Sequence, residues 1–252
     1  MNKTHKRVST KAVLYWLVMS ILFFDIVMQG DRRLKSSLET DAEGGGQENR
    51  EEVSAGENNE TVADPYRDIL RVALTFDDGP HPVYTPMLLD GLKERGVKAT
   101  FFVTGENAQA YPELVQRMSE EGHLIGNHTY SHVELSAVGQ EIFLIELDQT
   151  SQLLEELTGE EILFVRPPYG EWNKEIEALC NMFPVFWDVD SLDWSSKNTQ
   201  AVVKRVLQGV EDGDIILMHD SYLSTVEAVF YLIDTLSDMG YEFVTADELV
   251  ID

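Results

Sequence analysis

From residue 69 onward the chain alternates short apolar runs, rich in β-branched and aromatic side chains, with longer stretches of mixed polarity. The runs cover 72–76, 99–103, 123–127, 162–166, 184–189, 214–218 and 241–245, and each has the length and composition of a strand. The intervening stretches carry helix-like patterns around 85–95, 107–121, 137–157, 174–182, 199–210 and 225–239. Gly96, Gly122, Gly159 and Gly240 stand where helix C-caps are expected. Seven strands alternating with helices predict parallel βα units.

This patterned region falls short of the roughly 250 residues of a complete eight-unit barrel. We therefore expect an α/β fold built as a shortened, distorted (β/α) barrel of about seven parallel strands. A doubly wound open sheet is the competing architecture, but it gathers ligand at one switch point. Here the polar residues follow most strands: Asp77 and Asp78 the first, His128 and His132 the third, Arg166 the fourth, Asp190 the fifth, His219 and Asp220 the sixth. In a parallel barrel those positions share the C-terminal mouth, where active sites are built.

The N-terminal region has a different pattern. Lys3, Lys6, Arg7 and Lys11 precede an uncharged run from Ala12 to Phe24, and after Asp25 the apolar character continues through Met28. A basic flank before such a run reads as a membrane-directed segment, with the flank held inside. No small-residue cleavage site follows, so residues 1–30 are read as a cytoplasmic flank with an uncleaved anchor at 12–28. The alternative is a secretory signal, cleaved to release the chain. Either reading exports the remainder. Residues 31–64 hold Gly44-Gly45-Gly46, many Glu and Asn and few large apolar side chains, which predicts a flexible acidic linker. The globular domain is then 65–252.

Composition removes several functions. The 252 residues carry 19 Lys plus Arg against 45 Asp plus Glu, a formal charge of −26. Nucleic acid is excluded as a partner, because duplex binding depends on cations that neutralise phosphates. Within 65–252 the balance is still 11 basic to 34 acidic residues, a matter of solubility. One cysteine, Cys180, excludes a disulfide framework or a CxxC zinc motif and is read as a small buried residue. Any metal must be held by His and carboxylates. No obligate protein partner is evident.

Five of the six histidines fall in the proposed domain. His128 and His132, an i, i+4 pair, can face one point if their segment turns helically. With one carboxylate from Asp77-Asp78 they make the three ligands of a catalytic divalent site. Alone, such a pair is as readily two surface histidines, and Asp-Asp-Gly-Pro is as readily a turn. Adjacent aspartates point differently, so one can ligate while the other takes a proton from water during metal-assisted hydrolysis. Arg166, held by the rigid Pro167-Pro168-Tyr169-Gly170, either orients a carboxylate or caps its strand. His219 is a proton donor if Asp190 lies behind it, and otherwise a core histidine. His123, opening a strand after Gly122, reads as structural.

Five segments carry a family resemblance: Thr75-Phe76-Asp77-Asp78-Gly79-Pro80, His128-Thr129-Tyr130-Ser131-His132, Arg166-Pro167-Pro168-Tyr169-Gly170, Asp190-Ser191-Leu192-Asp193-Trp194 and Leu217-Met218-His219-Asp220. In this order they resemble the motifs of the polysaccharide deacetylases, carbohydrate esterase family four with the NodB-homology domain. The resemblance spans about 68–250. It implies that Asp78, His128 and His132 bind one divalent ion, zinc or else cobalt or another metal. It further implies Asp77 as general base oriented by Arg166, and His219 as general acid tuned by Asp190. The backbone N–H of Tyr169 would stabilise the oxyanion, and Trp194 and Leu217 would line a pocket for the acetyl methyl. Val133 departs from the proline common at that position.

With the N-terminal segment read as an anchor, the resemblance implies a membrane-anchored, extracytoplasmic hydrolase of linear amides, removing N-acetyl groups from a cell-envelope polysaccharide. Its expected substrate is the N-acetylglucosamine of peptidoglycan. N-acetylmuramic acid, chitin oligomers and acetylxylan are the alternatives within the enzyme class. A catalytically silent glycan-binding module is the alternative outside it, and would require the loss of a catalytic or ligand residue that this chain retains.

Overall fold

The computed structural model describes residues 69–250, which belong to one compact unit, Ala63–Asp252. The expected anchor at 12–28 and linker at 31–64 lie outside the described residues. Among the described residues no helix is long and apolar enough to cross a membrane.

The strands are β1 (Leu70–Asp77), β2 (Thr100–Val103), β3 (Leu124–Asn127), β4 (Phe164–Val165), β5 (Phe183–Pro184), β6 (Val189–Asp190), β7 (Asp214–His219) and β8 (Tyr241–Val244). The helices are α1 (Tyr84–Arg95), α2 (Gly105–Ala110), α3 (Pro112–Glu120), α4 (Leu135–Val138), α5 (Gln140–Thr158), α6 (Lys174–Leu179), α7 (Asp193–Ser196), α8 (Thr199–Gly209), α9 (Leu223–Asp238) and α10 (Ala246–Val250). All strand pairings are parallel, in the order β5-β4-β3-β2-β1-β7-β6. β8 joins the lower half of β1, opposite Leu70 to Ala73, while β2 takes Thr75 to Asp77. The seven-strand path is the expected incomplete barrel, with β8 as an eighth strand on its central member.

β1 shows why the sheet forms and how it delivers chemistry. Successive side chains of a strand point to opposite faces. Val72, Leu74 and Phe76 pack outward with Leu88, Leu89 and Leu92 of α1 and with Val226, Val229 and Leu232 of α9, all buried. Burying each such side chain contributes about 1.5–3 kcal/mol. Ala73, on the other face, packs with Phe102, Phe164, Val185 and Ile215. Thr75 and Asp77 share that inner face, so the same alternation that builds the core directs Asp77 into the barrel.

Four sequence expectations are revised. The run 184–189 is not one strand: it divides into β5 and β6, which end opposite sides of the sheet and do not pair. Pro184 brings no N–H to a ladder, and the carbonyls of Val185 and Phe186 are taken by the Arg166 side chain, from Nε at 3.1 Å and Nη2 at 3.0 Å. An arginine therefore satisfies the backbone where the barrel stays open. The helix expected over 107–121 is α2 and α3, broken at Tyr111 before Pro112, because proline disfavours helical geometry in the residue before it. The helix expected over 137–157 is α4 and α5, separated by Gly139 at φ 80°, ψ 169°. Cys180 is only partly buried, at the end of α6.

The expected glycine caps are found at Gly96 (φ 67°) and Gly159 (φ 74°), in the left-handed conformation that glycine adopts most readily. Asn173 and Asn198 cap α6 and α8, each accepting a backbone N–H at 2.9 Å.

Candidate active site

Because every strand runs the same way, Asp77, His128, Arg166 and His219 reach one side of the sheet. Asp78 sits immediately beyond β1 with φ 69°. Left-handed backbone is uncommon for aspartate, and here both carboxylates approach the same His128 Nε2. Asn107 Nδ2 holds the Asp78 carbonyl at 2.7 Å.

Asp78 Oδ1 lies 3.4 Å from His128 Nε2 and 3.3 Å from His132 Nε2. One ligand atom from each of the three residues falls within 4.8 Å of the others. The same Asp78 oxygen is buried and has no hydrogen-bond partner. A buried carboxylate oxygen without a donor is costly unless a cation completes it. Two imidazole nitrogens and one carboxylate oxygen fit a divalent ion that retains open positions. Burial alone would raise the Asp78 carboxyl; the adjacent imidazole of His128, with His132 and His219, outweighs it and brings the group to about 2.

The two histidines do not converge through a helical turn as expected. Residues 128–134 are irregular, with Thr129 and His132 both left-handed at φ 61° and 55°. Neighbours that sequence reasoning missed hold this shape. Asn127, fully buried, accepts from Thr129 N at 2.8 Å and donates to the Leu147 carbonyl and Ser151 Oγ of α5. Glu146 of α5 receives Ser131 N at 2.6 Å and Ser131 Oγ. The N–H groups of Gly105 and Glu106, opening α2, bond the carbonyls of Thr129 and Tyr130.

His128 Nδ1 lies 2.6 Å from the Arg166 carbonyl. A carbonyl only accepts, so Nδ1 carries the proton and Nε2 presents its lone pair to the cluster. Burial lowers the pKa of His132, and the neighbouring His128 adds to that shift, which keeps it neutral and able to ligate.

Arg166 is completely buried, which removes the surface-cap alternative. Its Nη1 donates to Asp77 Oδ1 at 2.9 Å and to Thr75 Oγ1 at 2.6 Å, and the guanidinium stacks over the Phe102 ring at 4.3 Å. Burial pulls its pKa down while Asp77 opposes that, and a guanidinium remains charged across the working range of pH. Asp77 Oδ2 faces the cluster, 3.8 Å from His128 Nε2.

His219 requires a correction. The carboxylate behind it is Asp193, not Asp190. Asp193 Oδ1 meets His219 Nδ1 at 2.8 Å and Trp194 N at 2.8 Å, while Oδ2 accepts from His219 N and Thr225 Oγ1 at 2.8 and 2.7 Å. Asp190 accepts from Leu192 N at 2.9 Å, a local turn bond, and its carbonyl receives Arg205 Nε at 2.5 Å. The left-handed Leu192, φ 52°, intervenes between Asp190 and the short helix that begins at Asp193. Burial would lower the His219 pKa; the Asp193 hydrogen bond and charge, aided by Asp77 and Asp78, raise it to about 9.

Tyr169 is left-handed (φ 59°), and its largely exposed ring stands edge-on to His132 at 4.9 Å between centroids, placing the Arg166–Gly170 loop beside the cluster. Leu217 is buried on the same face of β7 as His219, and Trp194 is half exposed beside Asp193. Two cavities of about 580 and 510 Å³ lie elsewhere, lined by Asp188 to Leu192 with α8 and by Leu135, Ser136, Gly139 and Gln140 with Gly170 to Asn173; neither includes Trp194 or Leu217. His123 is structural, its Nδ1 accepting Ala99 N at 3.1 Å, with burial lowering its pKa to about 4.

An Asp–His–His cluster, a buried Arg–Asp pair and a His–Asp pair meet at one strand-end face of an incomplete parallel barrel. A family model described as polysaccharide deacetylase matches residues 67–184. The chain is 40% identical over 203 residues to the peptidoglycan-N-acetylmuramic acid deacetylase PdaC of Bacillus subtilis, covering 81% of this chain and 43% of that protein. It is 41% identical over 179 residues to the peptidoglycan-N-acetylglucosamine deacetylase PgdA of Listeria monocytogenes, covering 71% and 38%. The solved structure of PdaC superposes with a TM-score of 0.70 at 40% identity, over 72% of this chain and 90% of that one. A CE4 family pseudoenzyme from Bacillus anthracis superposes with a TM-score of 0.68 at 28% identity, over 72% and 66%. The chain belongs to the polysaccharide deacetylase family, and spans less than half the length of the two curated relatives.

Proposed function

We propose that this protein is a metal-dependent hydrolase that removes N-acetyl groups from cell-wall peptidoglycan, with N-acetylglucosamine as the substrate residue. The observation that carries this reading is the orphaned Asp78 oxygen set against His128 and His132, with Asp77 and His219 at the same strand-end face. Both named relatives act on peptidoglycan sugars, PdaC on N-acetylmuramic acid and PgdA on N-acetylglucosamine. The silent-module alternative has a precedent in the family, but this chain keeps every residue the chemistry uses.

Asp78, His128 and His132 would hold the cation, with zinc as the proposed ion. When bound it supplies Lewis acidity toward the acyl oxygen and lowers the pKa of adjacent water. The remaining work falls to the protein. Arg166 occupies Asp77 Oδ1 and leaves Oδ2 to receive a proton from the attacking water. The Tyr169 N–H donates to the oxygen that develops negative charge. His219, held by Asp193 through Nδ1, delivers a proton from Nε2 to the amide nitrogen as the carbon–nitrogen bond breaks, releasing acetate and the free amine. Trp194 and Leu217 flank His219 and would confine the acetyl methyl.

Residues 12–28 are proposed as an anchor that holds the domain at the outer face of the membrane. Cell fractionation with sequencing of the mature N-terminus tests this, and a soluble form beginning near Gln29 or Asp31 would replace it with a cleaved signal. The function itself is tested by incubating the purified protein with peptidoglycan, chitin oligomers and acetylxylan, measuring acetate and locating the free amine by mass spectrometry of muropeptides. Amine on glucosamine supports the reading, amine on muramic acid moves it to the PdaC substrate, and release from xylan alone overturns it.

A further inference from the structure

Asp220 follows the general acid His219 and has no part in the reaction above, yet it is completely buried. Its Oδ2 accepts from Thr85 Oγ1, a hydroxyl that is itself fully buried in the first turn of α1. Thr85 Oγ1 in turn accepts from His81 N at 2.7 Å, and Thr85 N donates to the His81 carbonyl at 3.2 Å. The other Asp220 oxygen, Oδ1, is buried without a partner. Both oxygens press against Gly79: a Cβ at that position would stand 2.6 Å from Oδ2 and 2.7 Å from Oδ1, and no nearer neighbour is met. Gly79 directly follows Asp78. Its carbonyl is held on the opposite side by Thr104 N at 3.2 Å.

We propose that Asp220 is a positioning residue for the metal site, a buried strut between the end of β7 and the 78–81 turn that fixes where Asp78 presents Oδ1. It acts on both flanks of that turn, by direct contact at Gly79 and through Thr85 at His81. The strut also joins the acid side of the mouth to the ligand side, since Asp220 and His219 are chain neighbours. Burial raises the Asp220 carboxyl to about 7, partly offset by the Thr85 bond, which suits a role in shape and hydrogen bonding over one in charge. This inference rests on the metal-site reading given above.

The test measures affinity for zinc by competition with a chromogenic chelator, and the visible absorption of the cobalt-loaded full chain. Asp220→Ala and Thr85→Val should each weaken affinity by about 10–100-fold, the range for groups that support metal ligands, and alter the cobalt spectrum. Asp220→Asn, which keeps the shape and can accept from Thr85, should stay within about threefold of wild type. Gly79→Ala should weaken affinity in the wild-type background and add nothing to Asp220→Ala, because the carboxyl it would strike is then gone. Leu236→Ala, a core change in α9, controls for general loosening and should leave affinity unaltered. Wild-type affinity in Asp220→Ala, equal weakening by Leu236→Ala, or an Asp220→Asn protein as weak as the alanine variant would overturn the strut. If Asp220→Ala does not fold, wild-type affinity in Gly79→Ala overturns it. A wild-type protein that binds neither metal instead removes the metal-site reading itself.

Discussion

The two sides of the mouth treat histidine in opposite ways. On the ligand side, His128 Nδ1 meets a backbone carbonyl, which accepts a proton's hydrogen bond without adding a negative charge. On the acid side, His219 Nδ1 meets the buried carboxylate of Asp193, which raises its pKa to about 9. The first arrangement keeps a lone pair available and the second keeps a proton available. In the proposed mechanism one side-chain type thus serves as ligand or acid according to the single atom behind it.

The largest effect expected is on the ligand side. His132→Ala or Asp78→Asn should abolish bound metal and acetate release together, while the domain stays folded because both residues lie at the strand ends and not in the core. Chelation should do the same to the unaltered protein, with recovery on adding zinc or cobalt. Full turnover by a rigorously metal-free sample would break the comparison, since His128 would then have no reason to be a ligand.

On the acid side, His219→Ala should retain metal and lose about 10²–10⁴-fold in kcat, the usual range for a general acid. Asp77→Asn should fall in the same range with metal retained. Metal analysis alongside kinetics separates these from the ligand variants; loss of metal from Asp77→Asn but not from Asp78→Asn would reverse the two aspartates.

A sharper test concerns the carboxylate behind the acid. Asp193→Asn removes the charge that raises the His219 pKa, so the alkaline limb of the pH–rate profile should move to lower pH and the loss should grow as pH rises. Asp190→Asn should leave that limb in place. A shift in the Asp190 variant and none in the Asp193 variant would contradict the geometry.

The smallest effect is on stability. A group whose folded pKa is raised stabilises the fold fully below its unfolded value and loses that contribution as pH rises through the folded value. The His219 contribution in metal-free protein should therefore decline from about pH 6.5 through 9, lowering Tm. Asp193→Asn should flatten that decline, measurable by scanning calorimetry with chelator present. An equally steep decline in the variant would show that other groups set it.

The proposed base Asp77, the proposed ligands and the proposed acid His219 were legible because each follows an apolar run, and parallel strands carry such positions to one face. Asp193 was not. Asp190 and Asp193 share one motif, and only the left-handed turn at Leu192 decides which of them faces His219. The break of 184–189 into β5 and β6 was hidden for a related reason, since the apolar pattern is continuous there and the group that takes its carbonyls, Arg166, lies about twenty residues away. Asn127 and Glu146 carry no motif by themselves; their role comes from α5 packing beside the loop they hold.

The sequence by itself determined the alternation of strand and helix, hence the parallel sheet, and through the period of β1 the inward direction of Asp77. Those are consequences of local periodicity and of the burial it demands. Tertiary structure decided which atoms meet: that Asp78 is left-handed at φ 69°, that Asp193 and not Asp190 supports the acid, and that Arg166 fills the seam of the open barrel. These depend on backbone conformations and hydrogen bonds between segments distant along the chain, which no local pattern encodes.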